Sequence, residues 1–131
     1  MFCILSVGQC GFDQIGITRK LKSAFGADVA TADSTAEALA MIRDQKYDLV
    51  LINRVFDTDG GSGLDLIRAI KADPALSPTP AMLVSNYPEA QRQAEDLGAL
   101  LGFGKAEIRS TSVMDRLASA LNSRNGFAPE S

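Results

Sequence analysis

The stretch Tyr47-Asp48-Leu49-Val50-Leu51-Ile52-Asn53 decides the fold of this chain. Its apolar run is continuous and shows no alternation, so it predicts a strand buried on both faces, as in the middle of a parallel sheet. In open α/β sheets, functional groups lie beyond the carboxyl ends of such strands. Asn53 occupies that place here. Its amide can form hydrogen bonds, but it cannot act as a nucleophile.

Short apolar runs alternate with segments of helical period along the rest of the chain. Strands are predicted at 3–7, 29–32, 48–53, 81–85 and 100–103, and helices at 13–25, 34–45, 63–71, 88–97 and 113–122. This alternation predicts a parallel sheet with helices on both faces.

Two of the predicted helices carry informative local signals. Ser34 with Glu37 three residues later predicts a capping box at the start of the second helix. The fourth helix has a poor apolar face formed by Ala90, Ala94 and Leu97. We therefore expect that helix to be weakly anchored.

Length and composition fit one globular domain. The 131 residues suffice to bury a core without disulfides or metals, and 46% hydrophobic and 22% charged residues are ordinary values for a folded chain. Residues 1–122 are expected to form the domain. Residues 123–131 lack periodicity and are expected to be a disordered tail.

Charge and residue types exclude several functions. The formal net charge of −3, with basic residues scattered along the predicted helices, argues against direct nucleic-acid binding. The absence of histidine excludes Ser-His, Cys-His and histidine-metal catalysis, and Cys3 and Cys10 have no metal-binding spacing. No secretory leader or membrane span is visible. We expect a cytoplasmic protein that is not an enzyme.

Several further segments, taken in order and spacing, resemble the receiver domain of two-component response regulators. They are the run at 47–53, Gly63-Leu64-Asp65-Leu66-Ile67, Thr79-Pro80 before the fourth strand, Gly98-Ala99 and Lys105. The resemblance covers residues 2–121. It implies a flavodoxin-like (βα)5 three-layer sandwich with a parallel five-stranded sheet in the order 2-1-3-4-5, and a pocket between strands one and three.

The resemblance also implies a pocket in which several functional residues of the family are replaced. In the family, two acidic residues and an Asp hold a divalent cation, the Asp accepts a phosphoryl group, and a hydroxyl residue and a Lys contact that group. The matching positions here are Gly8, Gln9, Asn53, Ser85 and Lys105. Without carboxylates at the first three, we expect Mg²⁺ binding to be lost or weak and Asp phosphorylation to be absent. Lys105 is expected to donate to the side-chain oxygen of Asn53.

The fifth strand departs from the family pattern as well. Gly102 stands where an aromatic residue is usual, Phe103 follows one residue later, and Ala106 replaces the usual Pro after Lys105. The coupling that relays phosphorylation in receiver domains is therefore expected to be lost.

The function implied by the resemblance is that of a CheY-like module in two-component phosphorelay signalling. With the acceptor replaced, we expect it to act by phosphorylation-independent protein-protein interaction and without a cofactor. The partner would be a signalling protein or a second copy of the chain. The family's contact face, formed by the fourth helix, fifth strand and fifth helix, would here include Gln91, Gln93, Phe103, Glu107 and Arg109.

Two alternatives stay open from the sequence. The segment Gly8-Gln9-Cys10-Gly11 offers main-chain amides to a small anion or nucleotide, although its spacing is not Gly-x-Gly-x-x-Gly. Asp57 and Asp59, after the third strand, would serve as substitute phosphoryl acceptors or cation ligands. The more ordinary interpretation is that these two are turn residues on a solvated loop.

Overall fold

The computed structural model describes residues 2–9, 11–56, 61–108 and 110–124. Strands and helices alternate in the order β1 (Cys3–Val7), α1 (Gly11–Phe25), β2 (Asp28–Ala32), α2 (Thr35–Asp44), β3 (Leu49–Asn53), α3 (Gly63–Ala72), β4 (Ala81–Val84), α4 (Pro88–Asp96), β5 (Leu100–Phe103) and α5 (Thr111–Arg124). The predicted alternation is confirmed. The last helix continues to Arg124, whereas residues 125–131 of the predicted tail lie outside the described residues.

The strands form one parallel sheet in the order β2-β1-β3-β4-β5, as expected. Every residue of β3 is buried, which accounts for its unbroken apolar run. The carboxyl ends of β1 and β3 adjoin, with Val7 opposite Ile52. This pairing brings Gly8 and Asn53, the next residue on each chain segment, to the same edge of the sheet.

The sheet separates two apolar cores and so forms the middle of three layers. Alternate residues of β3 enter opposite cores: Val50 and Ile52 pack with α2, α3 and α4, while Leu49 and Leu51 pack with α1 and α5. The flavodoxin-like fold class is confirmed. Among the described residues, no helix combines the length and apolarity that a membrane span requires.

The cap predicted for α2 is present. The Ser34 hydroxyl accepts from the Glu37 main-chain N–H at 3.1 Å, and the Glu37 carboxylate accepts from the Asp33 main-chain N–H at 2.9 Å. These bonds satisfy main-chain donors that have no partner within the helix. The start of α2 is therefore specified by local sequence.

A buried glutamine anchors α4 to the sheet. Nε2 of Gln91 donates to the carbonyls of Leu83 (2.8 Å) and Ser85 (3.2 Å), and Oε1 accepts from the Gly102 N–H (2.9 Å). The expectation of a weakly anchored helix overlooked this side chain, because Gln on a helix is usually solvated. Gln91 is 8% exposed, so it does not belong to the surface face to which the sequence prediction assigned it.

Phe103 is the second residue of the predicted contact face that is buried in the structure. Met82 pairs with Leu100 but Val84 pairs with Phe103, so β5 contains one extra residue at a bulge. The bulge directs Phe103 into the core, where it is 2% exposed. Its side chain is therefore unavailable to a partner.

The remaining positions of that face have different outcomes. Gln93 and Glu107 are exposed, as expected, and Arg109 lies outside the described residues. Leu100 and Leu101 on β5 are 41% and 43% exposed and add apolar area that the prediction did not name.

Candidate functional site

The carboxyl ends of β3 and β4 open into a shallow cavity of about 230 Å³. Its walls come from the residues that end and follow these two strands, namely Asn53, Arg54, Val55, Val84, Ser85, Asn86 and Tyr87. This is the edge of an α/β sheet where functional groups are placed. Two of the predicted site residues, Asn53 and Ser85, thus share one cavity.

The side chain of Asn53 is 8% exposed and is hydrogen-bonded to the main chain. Nδ2 donates to the carbonyl of Gly8 at 3.1 Å and to the carbonyl of Val55 at 2.7 Å. Since both acceptors are carbonyls, the nitrogen of the amide must face them. The amide links the end of β1 to the loop after β3, and a carboxylate could not replace it in either bond.

Phe56 fills the space in front of Gly8. Its side chain is 1% exposed, and a Cβ added to Gly8 would overlap the Phe56 ring. Gly8 also has a φ of 77°, a conformation that favours glycine. Position 8 therefore lacks a carboxylate and also lacks room for one. The only sequence signal for this contact was an aromatic residue in a predicted loop.

Gln9 is also buried, at 7% exposure. Its Oε1 and Nε2 have no hydrogen-bond partner within the described part of the chain. A neutral amide tolerates such burial at a cost of roughly 1–3 kcal/mol, whereas an unpaired carboxylate would be far less stable there. The second position that is acidic in receiver domains is thus also unsuited to a carboxylate.

The segment from Gly8 to Gly11 is only partly free to bind an anion. The Gly8 N–H donates to the Ala32 carbonyl at 2.9 Å, so the sheet already uses this donor. Gly11 begins α1, and Cys10 lies outside the described residues. The contacts therefore do not favour the anion or nucleotide alternative.

Ser85 follows β4 and lies in the cavity. It is 8% exposed, and its Oγ accepts from the Tyr87 N–H at 3.1 Å, in the turn that leads into α4. Lys105 begins a 3₁₀ turn, Lys105–Glu107, directly after β5. Its side chain is outside what the structure describes, so its bond to Asn53 stays a prediction.

None of the described residues that line the cavity is acidic. Within the described ranges, no three His, Cys, Asp or Glu residues lie close enough together to hold a metal ion. Asp57 and Asp59, the substitute acidic residues, lie outside those ranges. Among the described residues, Arg54 is the charged residue in the cavity wall, and it was not among the site residues predicted from the sequence.

Arg54 stacks on an aromatic ring at the mouth of the cavity. Its guanidinium carbon lies 4.8 Å from the ring centroid of Tyr87. Such a cation–π contact orients the guanidinium and contributes about 0.5–1 kcal/mol at an exposed site. The cavity therefore presents a fixed positive charge.

Two groups with shifted pKa values lie away from this cavity. Burial raises the pKa of Tyr47, and burial lowers the pKa of Lys71. Lys71 donates to the carbonyls of Ser77 and Thr79, both at 2.8 Å, and so secures the connection between α3 and β4. Neither group lines the cavity, so both pKa shifts reflect packing within the fold.

No family model and no curated protein matches this sequence. Solved structures do match it. The signal receiver domain of the DNA-binding response regulator protein (merR) from Colwellia psychrerythraea 34H has a TM-score of 0.75 at 22% sequence identity, covering 93% of this chain and 99% of that chain. The receiver domain of NtrX from Brucella abortus has a TM-score of 0.71 at 24% identity, covering 95% and 99%.

A sensor protein from Polaromonas sp. JS666 has a TM-score of 0.78 at 19% identity, covering 94% of this chain and 98% of that chain. At these identities the similarity establishes the fold. The chain has the fold of response regulator receiver domains, with the cavity at the strand ends of that fold.

Proposed function

We propose that this protein is a signalling module of the response-regulator type that acts by binding another protein and does not use Asp phosphorylation. The receiver fold supports the signalling role. The observation that carries the second part is the pair of hydrogen bonds from Asn53 to the carbonyls of Gly8 and Val55. The amide is not a nucleophile, and its hydrogen bonds occupy the position where a carboxylate would bind a cation.

The contacts around the cavity favour a single, ligand-independent arrangement. A ligand switches a protein only when it binds one of two arrangements more tightly. Here Asn53 links β1 to the loop after β3, Phe56 packs against Gly8, and Gln91 joins α4 to β4 and β5. These links are internal, so the binding surface is available without a metal or a phosphoryl group.

An NMR titration tests the proposal. The amide spectrum and the midpoint of thermal unfolding are recorded with Mg²⁺ plus beryllofluoride and, separately, with Mg²⁺ plus acetyl phosphate. We expect neither addition to shift the amides of Gly8, Asn53 or Ser85. Saturable shifts at Asn53 and Ser85 would refute the proposal. Shifts confined to 57–59 would instead support a substitute acceptor in that loop.

A further inference from the structure

The guanidinium of Arg54 lines the cavity at the strand ends and has no carboxylate partner among the described residues. Within the described part of the chain, ion pairs are formed by Arg43, Arg68 and Arg92, and Arg54 takes part in none of them. The other described residues that line the cavity are neutral. Over the described ranges, the wall of the cavity thus carries a positive charge that an anionic group would complement.

Further hydrogen-bond donors lie at the same edge. Because Ser85 Oγ accepts from the Tyr87 N–H, its own hydrogen can point to a ligand. Helix α4 begins at Pro88, directly after Tyr87, and has no side-chain cap. Its positive end therefore lies beside the cavity. The acidic residue in the first turn of α4, Glu89, is exposed and pairs with Arg92, so an arginine balances its charge.

The rim of the cavity identifies the class of ligand. Val55 and Tyr87 flank Arg54, and they are 44% and 59% exposed. A small free anion would make no use of these apolar side chains. Arginine and tyrosine beside exposed apolar area are typical of the centre of protein-protein interfaces. The combination favours a protein partner over a free ion.

We infer that Arg54, Val55, Ser85, Asn86 and Tyr87 form a docking surface, the Arg54 surface, for a protein that inserts an Asp or Glu side chain into the cavity. The inference rests on the proposed function and specifies the chemistry of its partner. Asn53 is essential to it, since a carboxylate at that position would repel the incoming one. Because position 53 has no carboxylate, the carboxylate of a partner protein can enter the cavity.

Two blocked tripeptides that differ in one group serve as probes, one with Glu between two Leu residues and one with Gln in its place. The full chain is titrated with each, and amide shifts are followed at 54–55 and 85–87. We expect saturable shifts with the Glu peptide and at least tenfold weaker binding of the Gln peptide.

Variants assign the effect to the guanidinium. Arg54→Gln should weaken binding of the Glu peptide at least tenfold, whereas Arg54→Lys, which keeps the charge, should retain part of it. Arg19→Gln is the matched control, because Arg19 is an exposed arginine on α1 that does not line the cavity, and binding should not change. The amide spectra of all variants are compared with the wild type to verify the fold.

Equal binding of the two peptides, or binding that Arg54→Gln leaves unchanged, would overturn the inference. Inorganic phosphate that shifts the same amides in an Arg54-dependent manner, with the Glu peptide inactive, would also overturn it and indicate a free-oxyanion site. A response of Asn53 to beryllofluoride would refute the proposed function whichever peptide binds. Absence of peptide binding, with no response to beryllofluoride, would refute the docking surface alone.

Discussion

The substitution Asn53→Asp replaces the amide by a carboxylate of the same shape and turns two attractive contacts into repulsive ones. In the wild type, Nδ2 donates to the Gly8 and Val55 carbonyls at 3.1 and 2.7 Å. The variant loses two hydrogen bonds, each contributing roughly 0.5–1.5 kcal/mol, and buries a charge against the two carbonyl oxygens. We expect the free energy of unfolding to decrease by about 2–4 kcal/mol near neutral pH.

The decrease should depend on pH. The folded protein disfavours the charged form of the new Asp, so its folded-state pKa should lie above the usual value of about 3.9. The folded state then binds more protons than the unfolded state between those two pKa values. The variant should therefore be closest to the wild type below about pH 4 and should lose stability as the pH rises through the folded-state pKa.

Urea unfolding followed by circular dichroism, near pH 4 and near pH 7.5, measures this difference with and without Mg²⁺. Asn86→Asp is the matched control, because Asn86 is exposed at the same cavity, and its effect should not exceed about 0.5 kcal/mol. A variant Asn53→Asp as stable as the wild type at neutral pH would show that the two carbonyl contacts of Asn53 do not stabilise the fold as described. Recovery of stability with Mg²⁺ would show that the pocket still holds a cation.

Three further predictions concern Gly8, Gln91 and Tyr47. Adding Gly8→Asp to Asn53→Asp should not create Mg²⁺ binding, because the Asp side chain at position 8 would overlap the Phe56 ring. Mg²⁺ binding should require Phe56→Ala as well. A Mg²⁺-dependent rise in Tm with Phe56 intact would contradict this. Gln91→Leu should lower the free energy of unfolding by about 2–4 kcal/mol in urea, because three buried main-chain groups lose their partner, whereas the exposed control Gln93→Leu should change it by less than about 0.5 kcal/mol. Burial, with smaller contributions from two neighbouring acidic groups, raises the pKa of Tyr47 above 10.0, so stability should be full below that pH and should fall as the pH rises through the folded-state pKa. Urea unfolding at several alkaline pH values should show this fall in the wild type but a smaller one in Tyr47→Phe.

Much of the fold was predictable from local sequence. The run at 49–52 is apolar on both faces because β3 is covered on both faces, and Ser34 with Glu37 specified the start of α2. The bulge in β5 was not predictable, because it depends on how β5 pairs with β4. It reversed the expected exposure of Phe103.

The candidate site was predictable in position but not in its contacts. The resemblance to receiver domains implied that Asn53 and Ser85 share one pocket, and both do lie where parallel strands end at the same edge of the sheet. The contacts of Gln91, Phe56 and Arg54 were not predicted. Gln91 was assigned to the surface, and an aromatic residue or an arginine in a loop is an ordinary packing or surface residue until its partner is known.

The sequence by itself determined that the chain alternates strands and helices and that positions 8, 9 and 53 lack carboxylates, because periodicity and residue type are local properties. Only the tertiary structure decided which contacts occupy the pocket in place of those carboxylates. The bond from Asn53 to Gly8 joins residues 45 positions apart, and it exists because β1 and β3 are neighbours in the sheet. The same packing places the Phe56 ring against Gly8 and leaves Arg54 at the cavity mouth stacked on Tyr87. Such contacts depend on which segments the fold brings together, and local sequence does not encode them.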